Sequence, residues 1–235
     1  MIADAAALVF ALVLPTLVTL AYFVWLAEAG VAQRVVYGVG KLVQFTFPLA
    51  WMLLAGRPAL ELSLMSGQGG WLGLAFGALV AVAMFVLYGV LLKPRGFFDG
   101  RVRQEAVAKI RQFGITTLPR YAALGVFYAL GHSLLEEYYW RWFVFDRCAS
   151  LMHLGPAIAV SSLGFMAHHV ILLGVYFGWR SPTTYVFSLA VGVGGAAWAW
   201  LYADSGSLLG PWLSHLLIDA AIFAIGYDVA RDSFE

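Results

Sequence analysis

Charge is what this chain has least of. Asp, Glu, Lys and Arg make up 11% of its 235 residues, where soluble domains carry roughly 25%. Hydrophobic residues reach 62%, and the mean hydropathy is +0.84. A water-soluble fold of this length could not cover so much apolar surface, so lipid is the natural solvent. The net charge of +1 excludes a global field that would recruit nucleic acid or acidic ligands. Cysteine is almost absent. The lone Cys148 excludes an intramolecular disulfide framework and a CxxC metal site, and it reads as a small buried or interfacial residue. There is no internal repeat and no low-complexity stretch, so one membrane domain is the simplest organisation. The N-terminal stretch 1–30 lacks a basic n-region and a clear small-residue cleavage site; it reads as a retained first helix rather than a signal peptide.

Long apolar runs are what the chain does have. They occupy 5–27, 35–55, 71–92, 119–147, 155–177, 183–203 and 208–228. Each is long enough to cross a hydrocarbon core of roughly 30 Å as a helix. Barrel strands would be about half that length, and backbone groups in lipid must pair internally, so these are α-helices. Turn signals separate them: Ala55-Gly56-Arg57-Pro58, Ser66-Gly67-Gln68-Gly69-Gly70, Lys93-Pro94-Arg95-Gly96, Arg180-Ser181-Pro182 and Asp204-Ser205-Gly206-Ser207. The expected fold class is all-α, a polytopic transmembrane bundle of about seven helices, or eight if 93–118 holds an in-plane segment. Residues 1–118 would supply N-terminal transmembrane helices and a basic loop, and 119–235 the core helices that carry the chemistry. Small residues at Gly73 and Gly77, Gly174 and Gly178, and Gly192 through Ala197 have the spacing that lets helices approach closely.

Basic residues are concentrated. Seven of the 14 Lys and Arg lie between 93 and 120: Lys93, Arg95, Arg101, Arg103, Lys109, Arg111 and Arg120. The positive-inside rule makes that loop cytoplasmic, which puts the N-terminus outside and Arg34, Lys41 and Arg180 on the inner side. The segment 101–113 reads either as a short amphipathic helix on the inner leaflet or as a solvated basic connector.

Against this background a few ionisable residues stand inside apolar runs, where each costs from about 2.5 kcal/mol upward and usually serves function. One run carries His132, Glu136, Glu137 and Arg141, the next His168 and His169, the last His215 and Asp219. Glu137 and Arg141 are spaced i,i+4 and can pair on one helix face, as can His215 and Asp219. Glu136 lies about 100° round from Glu137 and is left for another partner, with His132 one turn before it. Three helices packed together could bring Glu136, His169 and His215 around one polar cavity. A buried carboxylate flanked by imidazoles is a plausible general base for water, and two imidazoles with a carboxylate could equally hold a divalent metal such as zinc. Taken singly, the residues read more plainly: Glu137 with Arg141 as a structural ion pair, His132 as a helix–helix hydrogen-bonding residue, His168 as the non-functional neighbour of His169, His153 and Asp204 as connector residues. Several costly burials in the same half of the chain argue the other way.

Three motifs sharpen this set. Glu136-Glu137-Tyr138-Tyr139-Trp140-Arg141 resembles the EExxxR motif of the CPBP family, which contains the Ras-converting CAAX prenyl endopeptidases and bacterial Abi-type proteins. Phe165-Met166-Ala167-His168-His169 resembles its FxxxH motif, with His169 at the motif position. His215-Leu216-Leu217-Ile218-Asp219 resembles its third motif, HxxxN or HxxxD. The motifs stand in the family's order on three separate apolar segments, and the resemblance covers about 119–228.

The resemblance implies an intramembrane endopeptidase acting on a membrane-anchored protein or peptide, CAAX-like or undergoing C-terminal sorting or processing, in a multi-pass protein of the bacterial inner membrane. It implies that Glu136 activates water with His169 assisting, that Glu137 and Arg141 form a supporting pair, and that His215 and the residue at 219 stabilise the oxyanion. Relatives typically have Asn there. Asp219 cannot donate a hydrogen bond while ionised, so it acts protonated, or orients His215, or serves this branch differently. The chain lacks HExxH, which leaves a metal-free mechanism, the preferred reading, beside one with a metal on Glu136, His169 and His215. Two other readings compete: a proton-coupled transporter or channel using the buried Glu and His, and a non-catalytic membrane protein of the bacteriocin-immunity type.

Overall fold

The computed structural model describes residues 2–55, 67–112 and 114–234, and among them regular structure is entirely helical. Eight helical runs follow one another: α1 (Ile2–Trp25), α2 (Val31–Leu54), α3 (Gly70–Leu92), α4 (Arg101–Gln112), α5 (118–151), α6 (Leu154–Phe177), α7 (Pro182–Ser205) and α8 (Leu209–Ser233). Each of the seven apolar runs is one long helix, and the basic stretch after α3 forms the short α4. The break expected at Gly56-Arg57-Pro58, and Ser66 of the next one, lie outside the described residues.

Five of these helices, α1, α3, α6, α7 and α8, are long and apolar enough to cross a membrane. The two remaining long helices carry the polar side chains that dilute their hydropathy: Arg34, Lys41 and Gln44 on α2, and Glu136, Glu137, Arg141, Asp146 and Arg147 on α5. Leu, Val and Trp side chains lie exposed along the outer faces of the apolar helices, including Leu79, Val90, Leu189 and Val193, as lipid permits and water would not. Helix ends follow local chemistry. Pro182 opens α7 at a position where a missing N–H costs nothing, and Gly178 and Gly206, at φ +93° and +63°, close α6 and α7 in a conformation that side chains with a Cβ resist.

The chain packs as two compact units, each built from two stretches of sequence. The first comprises Met1–Ser66 and Glu136–Leu208, hence α1, α2, the second part of α5, α6 and α7. Within it α6 packs along α7, and α1 lies against α6 and α2. Pro15 sits inside α1 and has no N–H for the carbonyl of Ala11. The hydroxyl of Tyr139, on α5, donates to that carbonyl at 2.7 Å, so a defect in one helix becomes a tether to another. Edge-on ring contacts, Phe45 with Tyr139 and Phe47 with Phe143, seat α2 on the same part of α5.

The second unit comprises Gly67–Leu135 and Leu209–Glu235, hence α3, α4, the first part of α5 and α8. Here α3 and α8 come together backbone to backbone at Gly73 and Gly77. A Cβ at Gly73 would stand 2.0 Å from the Gly210 carbonyl oxygen, and one at Gly77 would stand 2.6 Å from the Ser214 Cα. The Tyr121 hydroxyl donates to the Phe223 carbonyl at 2.9 Å, and the Trp212 indole N–H to the Leu130 carbonyl at 3.0 Å. Polar groups fasten the far end: Tyr88 and Lys93 meet Asp228, while Arg103 of α4 donates to the Val229 carbonyl at 3.1 Å and pairs with Asp232 at 2.8 Å. The amphipathic segment is thus a helix pinned to the end of α8.

Gly73→Val forces the α3–α8 seam apart, because backbone and not a flexible side chain occupies the space. Overpacking of this kind costs about 1–3 kcal/mol or more. Thermal unfolding in detergent is expected to show a clear drop for Gly73→Val and little change for Gly89→Val on the open side of α3, where a Cβ meets nothing within 4 Å.

Candidate active site

The first motif lies on α5, where the helix changes its winding. Phe127–His132 and Tyr138–Phe145 are wound as π-type turns, and one α-helical stretch, Ser133–Glu137, stands between them. Such turns are rare and are frequent at functional sites, since they rotate the side chains that follow. Glu136 and Glu137 occupy the last two positions of the α-helical stretch, at 4% and 0% exposure.

Glu137 and Arg141 form the i,i+4 pair that their spacing predicts, with Nε 3.1 Å from the carboxylate. Arg141 is held on its other sides as well. Its guanidinium lies over the Phe165 ring at 4.7 Å and the Trp198 ring at 4.9 Å, and it donates to the Gly195 carbonyl at 3.3 Å. Gly195 leaves room for this, since a Cβ there would come to 3.2 Å from Phe165 and 3.5 Å from Arg141.

Glu136 faces α6. Its carboxylate lies 3.9 Å from His168 Nε2. The His168 ring stacks on Trp140 with centroids 5.7 Å apart and planes 8° from parallel, and it lies 4.2 Å from the His169 ring. His169 Nδ1 stands 2.9 Å from the Phe165 carbonyl oxygen. A carbonyl can only accept, so Nδ1 carries the proton and Nε2 is the basic atom of a neutral His169. His168, which read in sequence as the silent neighbour of His169, also brings a ring nitrogen to Glu136.

The third motif belongs to the second unit. His215 and Asp219 pair across one turn of α8, Nε2 to carboxylate at 3.6 Å, with His215 buried. His132, also in that unit, packs its ring on Tyr128 at 4.7 Å. His153 precedes α6 and is exposed, Asp204 is exposed, and Cys148 is fully buried. Among the described residues, no three His, Cys, Asp or Glu side chains gather in an arrangement that could hold a metal ion.

Two residues of α2 were missed by the sequence reading. Lys41 was counted there among the inner-side cations, but it lies midway along Val31–Leu54, half-buried, with its ammonium 5.4 Å from the Phe45 ring centroid. Gln44, one turn further, is fully buried. The available signal was the spacing of Gln33, Tyr37, Lys41 and Gln44, which makes one polar stripe along an apolar helix.

These features define an integral membrane protein of apolar helices with a buried acid–base cluster. Residues 118–221 match the family model described as Type II CAAX prenyl endopeptidase Rce1-like. The match takes in all three motifs and supports the CAAX-protease family that they resemble. No curated protein matches the chain, and no solved structure does.

Removing one partner of the Glu137–Arg141 pair strands a charge in an apolar interior, at a cost of about 3–5 kcal/mol. Arg141→Met is expected to lower the thermal midpoint strongly, and Glu137→Leu with Arg141→Met to recover most of the loss. Tyr139→Phe, which strips the tether to Ala11, is expected to cost about 1 kcal/mol in the same assay.

Proposed function

We propose that the chain is an intramembrane endopeptidase of the CAAX-protease type, which hydrolyses a peptide bond of a membrane-anchored protein or peptide with water activated by Glu136. The observation that carries this is the division of labour between two adjacent buried carboxylates. Glu137 is committed to Arg141 at 3.1 Å, and Glu136 faces the paired imidazoles of His168 and His169. The family match over 118–221 supports the same class of activity.

In this mechanism the Glu136 carboxylate takes a proton from water as the oxygen attacks the scissile carbonyl carbon. The C=O electrons move to oxygen, giving a tetrahedral oxyanion. His169, its Nδ1–H fixed on the Phe165 carbonyl, assists through Nε2, and His168 keeps the imidazole pair stacked against Trp140. The intermediate collapses, the C–N bond breaks, and the proton on Glu136 passes to the leaving amine. Arg141 and Glu137 hold the motif helix in register with α6 and α7. The motif resemblance gives His215 an oxyanion-stabilising role, with Asp219, 3.6 Å from its Nε2, orienting that ring. Exclusion of bulk water by the apolar helices strengthens each of these interactions.

The proposal extends to the substrate and setting that the motif resemblance implies: a chain anchored to lipid, CAAX-like or cut near its C-terminus, in a multi-pass protein of the bacterial inner membrane. Purified protein in lipid, given lipid-anchored peptides, tests the reading. Glu136→Ala and His169→Ala are expected to lower cleavage by about 10²–10⁴-fold, with His168→Ala less severe. Wild-type rates from both Glu136→Ala and His169→Ala would overturn the mechanism, and Glu136-dependent proton flux in liposomes without cleavage would favour a transporter.

A further inference from the structure

The helix that the family match does not reach carries a charge that the proposed mechanism leaves unused. Lys41 stands midway along α2, in a segment otherwise fit for lipid. An ionisable side chain at that depth faces a protein interior and has a partner. Its ammonium lies 5.4 Å from the Phe45 ring centroid and 5.8 Å from that of Tyr37. Phe45 in turn packs edge-on against Tyr139, three residues beyond Glu136 on α5. This ring ladder brings the cation toward the first motif, within range of a charge–charge interaction with the Glu136 carboxylate and His168.

Charge balance gives this placement its meaning. The first unit buries two carboxylates in the motif, Glu136 and Glu137, and Arg141 is bound to Glu137. One further positive charge makes the cluster neutral, and Lys41 supplies it. Gln44, on the same face one turn away, adds a second polar feature. It is fully buried, and neither its amide oxygen nor its amide nitrogen has a hydrogen-bond partner among the described residues. A helix that only packed would not place a cation and an unsatisfied amide side by side on its buried face.

We infer that Lys41 is a positioning residue of the candidate site, the counter-ion that fixes the Glu136 carboxylate in place for its attack on water. The inference rests on the protease reading for its role in turnover, while the pairing itself stands independently of that reading.

A double-mutant cycle on thermal stability, using the full chain in detergent, tests the pairing without any substrate. Lys41→Met and Glu136→Gln each remove one charge of the proposed pair, so both are expected to lower the midpoint. The double variant is expected to lie well above the sum of the two losses. Strict additivity overturns the inference whatever the protein does. Turnover of a lipid-anchored fluorogenic peptide tests the role. Lys41→Met is expected to lower kcat about 10- to 100-fold with KM unchanged, and Lys41→Arg to restore most of it. A Lys41→Met enzyme with wild-type kcat overturns the positioning role. Coupled stabilities with full cleavage by Glu136→Gln would instead sink the protease mechanism built on Glu136, and the positioning role with it, and leave only a structural ion pair.

Discussion

A carboxylate and a guanidinium 3.1 Å apart, both almost wholly withdrawn from solvent, can persist in an apolar interior only if every neighbour accommodates them. Much of the first unit is arranged around that demand. Arg141 spends its remaining surface on the rings of Phe165 and Trp198 and on the carbonyl of Gly195, which draws α5, α6 and α7 together at one point. Glycine at 195 keeps this seam open, since a Cβ there would press on Phe165 at 3.2 Å.

The same arrangement joins two motifs that look separate in sequence. The Phe165 ring receives Arg141 of the first motif, and the Phe165 carbonyl receives the Nδ1–H of His169, one turn on. The phenylalanine of FxxxH is therefore the piece that sets the arginine of EExxxR and the histidine of its own helix at a fixed distance. Substitution there disturbs an ion pair and an imidazole together.

Most of the helical architecture was legible in the sequence because lipid leaves so few alternatives. The run expected at 155–177 is Leu154–Phe177, and the one at 71–92 is Gly70–Leu92. Glycine and proline punctuation placed these ends to within a residue or so. The Glu137–Arg141 and His215–Asp219 pairs were legible for a similar reason, since i,i+4 contacts are local and need only a helix. Contacts set by tertiary packing were not. The π-type winding at Tyr138–Phe145 leaves no mark in a periodicity count. That His168 also stands near Glu136, at 3.9 Å, depends on the rotation of α6 and has no local signal. Lys41 was hidden by position: a cation six residues into the run 35–55 is easily counted with the loop before it, and only the ring contacts through Phe45 bring it toward α5. The interleaving of the two units, with the changeover inside α5 between Leu135 and Glu136, follows from no local signal at all.

The proline of α1 bears on how such a chain is assembled. A carbonyl that its own helix cannot satisfy is costly in hydrocarbon. When α1 first enters the bilayer, the Ala11 oxygen has lost its intrahelical donor to Pro15, and the hydroxyl that completes it belongs to Tyr139, more than a hundred residues later in synthesis. Until α5 arrives, the first helix carries an open bond that lipid cannot close. Biogenesis thus leaves α1 with a standing preference for protein over lipid on one face, and the helix that relieves it is the one that bears the two glutamates.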